Sequence, residues 1–429
     1  MPKFYSINTS PLEVSKIIRD HLKKSCVSHC GIPGKFLSII ATPVSFSMSR
    51  LFNNLFENGI YPDLWKLSHV TAIFKQKGLK TNKANYRPIS LLPTVSKICE
   101  TVIHHRLLSH CTENNVISSK QAAYIKGDST VNQLLYIVNK IRQSWTNKKC
   151  TQGVFLDVSS AFEKVWHSGL LAKLNQIGIE GKLLELFKSY LSDRQQIVVI
   201  DGVKSEMAPL SAGIPQGSKL GPILFIIYIN DITEDLDSDI LIFADDCSLL
   251  ASADDPAQST FILNRDLEKI NQWAVKWKIT FNADKSRDII FSNKLLNNSP
   301  PVILNNEIIS RVNTHKHLGL YLTSSLDWSE HLHYICLRAH RKLSVLRRVK
   351  NLQRSTLDLL YKITVRSVLD YGLFIFYHTL TQVQMSKLDK IHYSAAKLVT
   401  STLHYTSREK LFAELGWESR KQRANSQIH

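Results

Sequence analysis

The chain has 429 residues, more than one ordinary core accommodates, so two or three subdomains are expected. It carries 54 Lys+Arg against 36 Asp+Glu, a net charge of +18, which favours a polyanionic partner, nucleic acid before a membrane. Seven cysteines at scattered spacing exclude a disulfide framework. The basic excess is uneven: from His331 onward, 17 Lys/Arg stand against 6 Asp/Glu. Cys26-x-x-x-Cys30 with His29 has no second zinc-spaced pair after it, so free thiols are expected. The pairs His315/His317 and His331/His333 read as structural or solvated. No secretory leader is visible, and ILFIIYI (223–229) is too short to span a bilayer. An intracellular, reducing setting without a membrane partner is expected.

In chain order, residues 1–50 read as a helical approach segment with Pro33 and Pro43 as breakers. FNNLFENG (52–59) ends a helix at Gly59. HVTAIFK (69–75) reads as a strand, followed by a basic loop over 76–86. Pro88 and Pro93 keep the next stretch extended, and from Val95 the apolar spacing turns helical through Ile98, Val102 and Leu107. A helix is expected over roughly 130–146. GVFLDV (153–158) has the form of a strand buried on both faces. SSAFEKVWHSGLLAKLNQIG then reads as a helix capped by Ser159 or Ser160. A helix near 180–192, a strand near 195–200 and a Gly/Pro loop over 212–222 follow. ILFIIYINDI is expected as a buried helix, 240–251 as a hairpin and 256–277 as a long helix. Strands are expected near 287–292 and 317–322, and a basic, mostly helical region over 330–400. Mixing strands and helices without steady βαβ alternation indicates α+β.

LIFADDCSLL (241–250) sets two adjacent carboxylates in apolar surroundings. Their repulsion is about 4 kcal/mol at 4 Å if the effective dielectric is near 20, so either a turn exposes them to water or a cation neutralises them. Taken alone, Asp245-Asp246 reads more simply as a polar hairpin turn. Asp157, however, ends another buried strand. If the two strands are neighbours, three carboxylates meet at one sheet edge. Such hard oxygen ligands suit Mg²⁺, which seldom takes a full protein cage. Two ions about 3.5–4 Å apart activate a hydroxyl and stabilise a leaving pyrophosphate.

Seven segments, in order from about Leu51 to Trp417, resemble the reverse transcriptases of non-LTR (LINE-type) retrotransposons, most closely the jockey-like elements of animals. NYRPISLLPTVSKICE (85–100) and QAAYIKGDSTVNQLL (121–135) resemble its two fingers motifs. FLDVSSAFEKVWH (155–167) is similar to the palm motif carrying the first metal aspartate. AGIPQGSKLGPILFIIYINDI (212–232) resembles the nucleotide- and template-positioning loop with its helix, and FADD (243–246) the catalytic hairpin. NADKSRDIIFSN (282–293) resembles the motif with a lysine near the triphosphate, and HKHLGLYL (315–322) the primer-grip hairpin.

The resemblance implies an α+β right-hand polymerase: an N-terminal helical extension (1–50), fingers (51–150), palm (151–323) and a thumb with C-terminal helices (324–429). It implies an RNA-directed DNA polymerase acting on an RNA template, a DNA primer and dNTPs. Two Mg²⁺, with Mn²⁺ as a substitute, would be held by Asp157, Asp245 and Asp246 with the backbone of Val158. Phe162 takes the steric-gate place, and Gln216-Gly217 lie beneath the nascent base pair. Arg87 grips the triphosphate with help from Lys75. Lys285 protonates or neutralises pyrophosphate. Arg338, Arg341, Arg347, Arg348 and Lys350 track the duplex.

The chain departs from the family pattern in several places. Ile125 and Asp128 stand where some members carry arginines, with Lys126 as a compensating charge. Ser160, Glu163 and Lys219 also depart, and no metal ligand is lost. Only about 50 residues precede the fingers, so no nicking endonuclease is expected, and the primer would come from elsewhere. Nuclear location follows only from the implied genomic target. The competing readings are a catalytically weak remnant that only binds RNA or RNA–DNA hybrid, and a splicing maturase built on the same core.

Overall fold

The computed structural model of the chain describes residues 2–21, 31–76, 78–293, 299–402 and 406–426. Cys26, His29 and Cys30 lie outside them. In chain order the strands are β1 Leu67–Phe74, β2 Tyr86–Leu91, β3 Cys150–Val158, β4 Arg194–Ile200, β5 Val203–Lys204, β6 Ala208–Leu210, β7 Asp239–Phe243, β8 Asp246–Ala253, β9 Phe281–Phe291, β10 Ile303–Leu304, β11 Glu307–Ile308, β12 Ser310–Arg311, β13 Thr314–His317 and β14 Leu320–Thr323. They form two five-stranded sheets and two hairpins.

The central sheet has the order β12-β9-β3-β8-β7, with β3 antiparallel to both neighbours. Successive side chains of a strand point to opposite faces, and here each face meets its own core. Val154, Leu156 and Val158 enter one core with the helices Gly221–Ile229 and Pro256–Trp277, whereas Phe155 enters the other with Leu320, Leu322 and the C-terminal helices. β7 divides the same way, Ile240 and Ile242 against Leu241. This two-sided burial is why β3 reads as an unbroken apolar run rather than an alternating one.

The second sheet has the order β2-β1-β4-β5, with β6 added to β4. β2 is an edge strand and so tolerates Pro88, which has no amide for a ladder. Helix Thr94–Glu113 begins directly after Pro93, and helix Thr130–Thr146 is capped by the Ser129 hydroxyl accepting from the Asn132 amide. Gly59 closes helix Ala41–Asn58 in the left-handed conformation. Pro43 does not break that helix but sits in its first turn, where a missing N–H is harmless.

Three expectations shift. Residues 159–164 form turns and the helix begins only at His167, because Ser160 takes a φ of 52° and the chain folds back on itself. The strand expected near 287 starts at Phe281, and that expected over 317–322 is the hairpin β13–β14. Five described cysteines are free thiols, and no described helix is long and apolar enough to cross a membrane.

The C-terminal core buries neutral imidazoles. His317 bonds to the Ser248 hydroxyl at 3.1 Å. His392 lies between the Tyr361 hydroxyl at 2.6 Å and the Glu418 carbonyl at 3.1 Å. Burial pulls His317 and His392 down to about 3 and His331 to about 4. With folded values below the unfolded one, stability is complete above about pH 6.5 and is lost as pH falls through it, on the order of 1 kcal/mol per histidine per pH unit. The urea midpoint therefore drops between pH 7.5 and pH 5, and His392→Gln makes that drop shallower; a midpoint unchanged over this range contradicts the assignment.

Candidate active site

The register of β3 against β8 sets Asp157 directly opposite Asp246, and Phe243 opposite Asp246 closes the β7–β8 hairpin around Ala244 and Asp245. Residues facing each other across a ladder share a sheet face. Asp157 and Asp246 therefore lie on the side of Phe155 and Leu250, toward hairpin β13–β14 and the C-terminal helices. Ala244 has a φ of 56°, which L-residues rarely adopt. Its amide donates to Gln121 Oε1 at 3.1 Å, which holds the turn. The outer edge of β7 is covered as well. Ile242 donates to Lys120 O and accepts from the Ala122 amide and from Gln133 Nε2.

Burial raises Asp246 to about 6, and the charges of Asp245 and Asp157 push it the same way. Asp245 is raised by burial and by Asp157, against a backbone hydrogen bond and the charge of Arg87. Among the described residues, the charge of Arg87 opposes the rise at Asp245, whereas no cation opposes that at Asp246. Asp157 is half-exposed; Lys285 Nζ lies 3.6 Å from its Oδ2. A register shift in β9 opposite Phe155–Asp157 brings Ser286 round to accept from the Asp157 amide at 3.2 Å, and the Ser286 hydroxyl donates to Asn282 O at 2.7 Å.

Among the described residues no three His, Cys, Asp or Glu side chains are gathered closely enough to cage an ion alone. The acids nonetheless fit a divalent cation of the Mg²⁺ kind, which keeps waters and takes substrate oxygens to complete its shell. Carboxylates raised by burial and mutual repulsion are the groups such a charge relieves.

The segment after β3 builds the floor beside the acids. Phe162 O accepts from the Ile214 amide and Val165 O from Gly213, both at 2.8 Å, while Phe162 stacks on Phe225 at 5.1 Å. Gln216 O accepts from the Ser90 amide at 2.7 Å, joining this loop to β2. Gly217 adopts a φ of 125°, and a Cβ there would lie 2.6 Å from Ser90 O. Arg87, exposed on β2, is near enough for its charge to act on Asp245. Lys75 instead donates to the Ala84 carbonyl at 3.0 Å.

The C-terminal cations do not lie on one face. At 100° per residue, Arg338, Arg341 and Arg348 share a face of helix Ser329–Arg348. Arg347 falls on the opposite side, bonded to Ser394 at 3.0 Å, and Lys350 lies past the helix end. Arg338 joins Lys316 at the Tyr334 hydroxyl, at 2.9 and 2.8 Å. Sequence reasoning missed Lys316, Gln121 and Gln133 as individual side chains, although all three stand inside segments singled out by resemblance.

Residues 75–334 match the family described as Reverse transcriptase (RNA-dependent DNA polymerase), and the chain belongs to that family. The α+β right-hand polymerase class expected from the sequence holds with it. Among curated relatives, the RNA-directed DNA polymerase from mobile element jockey of Drosophila melanogaster is 34% identical over 66% of this chain and 32% of its own length. The probable RNA-directed DNA polymerase from transposon BS of the same organism is 26% identical over 96% of this chain and 47% of its own. The chain thus spans from about a third to about half of the length of these two relatives. Apo telomerase from Candida Tropicalis covers 82% of this chain and 69% of its own at 10% identity and a TM-score of 0.45.

Because Gly217 combines a forbidden φ with a backbone collision, Gly217→Ala lowers unfolding stability by about 2–3 kcal/mol. Urea unfolding measures this; an unchanged midpoint shows that the loop does not hold this conformation in solution.

Proposed function

We propose that this chain copies RNA into DNA, adding dNTPs to a primer 3′-OH by two-metal nucleotidyl transfer. The observation that carries the reading is the pairing of Asp157 with Asp246 across β3 and β8 beside the turn holding Asp245. In this reading residues 51–150 are the fingers, 151–323 the palm and 324–429 the thumb with its C-terminal helices.

Asp157, Asp245 and Asp246, with the carbonyl of Val158, would hold the divalent ions. Those ions, when bound, acidify the attacking hydroxyl and offset charge on the phosphates. The protein's own groups do the rest by position. Arg87 meets the triphosphate as a guanidinium that also balances Asp245. Lys285, now against Asp157, is placed to swing to the pyrophosphate and neutralise or protonate it. Phe162, braced by Phe225, blocks a ribose 2′-OH by bulk. Gln216 is half-buried and Gly217 exposed, and in this reading the nascent base pair packs over them. The template and primer are gripped through backbone and shape, with the Arg338–Arg341–Arg348 face as one contact and Lys316 with Tyr334 as another.

Primer extension on poly(rA)/oligo(dT) with Mg²⁺ tests the reading. Wild-type protein extends, and Asp245→Ala reduces extension by at least about a thousandfold while the primer–template is still bound. Binding without extension by wild type, in Mg²⁺ and in Mn²⁺, establishes the remnant reading instead. Phe162→Val separately admits ribonucleotides; unchanged discrimination removes Phe162 from the gate.

A further inference from the structure

The loop that carries Gln216 and Gly217 is fastened from behind by a carboxylate. Helix Gly221–Ile229 is apolar on every side and has no cap from its own N-terminal residue. Its entry amides would be left unsatisfied in a dry interior. Glu100, fully buried on helix Thr94–Glu113, reaches across to them: Oε2 accepts from the Lys219 amide at 2.7 Å and the Leu220 amide at 3.4 Å. Its other oxygen accepts from the Tyr61 hydroxyl at 3.2 Å. A negative group at a helix N-terminus is also favoured by the helix dipole.

A buried carboxylate requires compensation. Burial raises the Glu100 carboxyl above its usual range; the charge of Arg194, itself buried at the start of β4, opposes that rise only in part, while Arg194 Nη1 donates to Tyr190 O at 2.9 Å. The Tyr190 ring meets that of Tyr61 edge-on at 5.0 Å, and its hydroxyl lies beside Ser218 of the same loop. Ser218 Oγ in turn accepts from the Gly221 amide at 2.7 Å. Three elements distant in sequence thereby converge on residues 218–221, immediately after Gln216 and Gly217.

We propose that Glu100 is a positioning residue: through the amides of Lys219 and Leu220 it sets where Gln216 and Gly217 stand against the incoming nucleotide. This rests on the polymerase reading. Reach, more than charge, performs the role, since the acceptor must span from one helix to the next. Glu100→Asp keeps the charge beside Arg194 but withdraws the oxygens by one methylene. Glu100→Gln keeps length and one acceptor but loses the charge.

Steady-state primer extension and primer–template binding are compared for the three proteins. Glu100→Asp raises the KM for dNTP about tenfold and leaves the primer–template Kd within about twofold, while Glu100→Gln recovers most of the nucleotide affinity. The reverse order, Gln impaired and Asp normal, overturns positioning in favour of charge compensation for Arg194. Equal KM in all three proteins overturns it too. Parallel losses in KM, kcat, Kd and melting temperature reduce Glu100 to a structural role. Wild type that never extends a primer overturns the polymerase reading itself, and the Glu100 assignment with it.

Discussion

The register between β3 and β8 is the constraint on which the rest of the molecule depends. Side chains of a strand alternate with a period of two, so a slip by one residue would carry Asp157 to the far face of the sheet. Two cores prevent it. Val154 and Leu156 fill one while Phe155 fills the other, and each would be misplaced by the same slip. Gly153 tightens the fit, since a Cβ there would come within 3.2 Å of Leu250 and Phe291. Hydrophobic packing spread along β3 thus decides which carboxylates meet at its end.

Around that end the backbone adopts several conformations that a side chain normally opposes. Ala244 and Ser160 lie at φ of 56° and 52°, and Gly217 at 125°. Such conformations persist only where surroundings over-determine them. Gln121 holds the first, the carbonyls of Phe162 and Val165 shape the fold-back after the second, and Ser90 abuts the third. The same bonds tie the edge of β7, the segment after β3 and β2 to a single floor. Positive φ and cross-element hydrogen bonds occur where the acids, the stacked Phe162 and the loop of Gln216 converge, which is consistent with a site built for one geometry rather than for flexibility.

Local chemistry was legible where the determinants are local. Gly59 marks a helix end by its own conformational preference, whereas ILFIIYINDI fits a buried helix or a buried strand equally by periodicity, and only the Gly/Pro loop before it favours the helix. The turn at Ala244–Asp245 and the strand ending in Asp157 were also readable, as was their pairing as a hypothesis. The expected helix from Ser159 failed for a long-range reason: carbonyls of 162 and 165 are taken by Ile214 and Gly213, fifty residues on in the chain, which favours turns over a helical ladder. Arg347 looked equivalent to its neighbours because charge alone does not reveal which side of a helix faces Ser394. Glu100 lies 119 and 120 residues from the amides of Lys219 and Leu220 that it accepts from, and the fold alone brings them together.

The most direct measurement is a titration of Mn²⁺ into protein holding a primer–template and a non-hydrolysable dNTP, followed by electron paramagnetic resonance. Two ions bound per chain with spin coupling expected of a separation of about 3.5–4 Å, and loss of that coupling in Asp157→Ala, are what shared carboxylates at the β3 end and the hairpin require. Uncoupled ions, or coupling that survives removal of Asp157, contradicts the account.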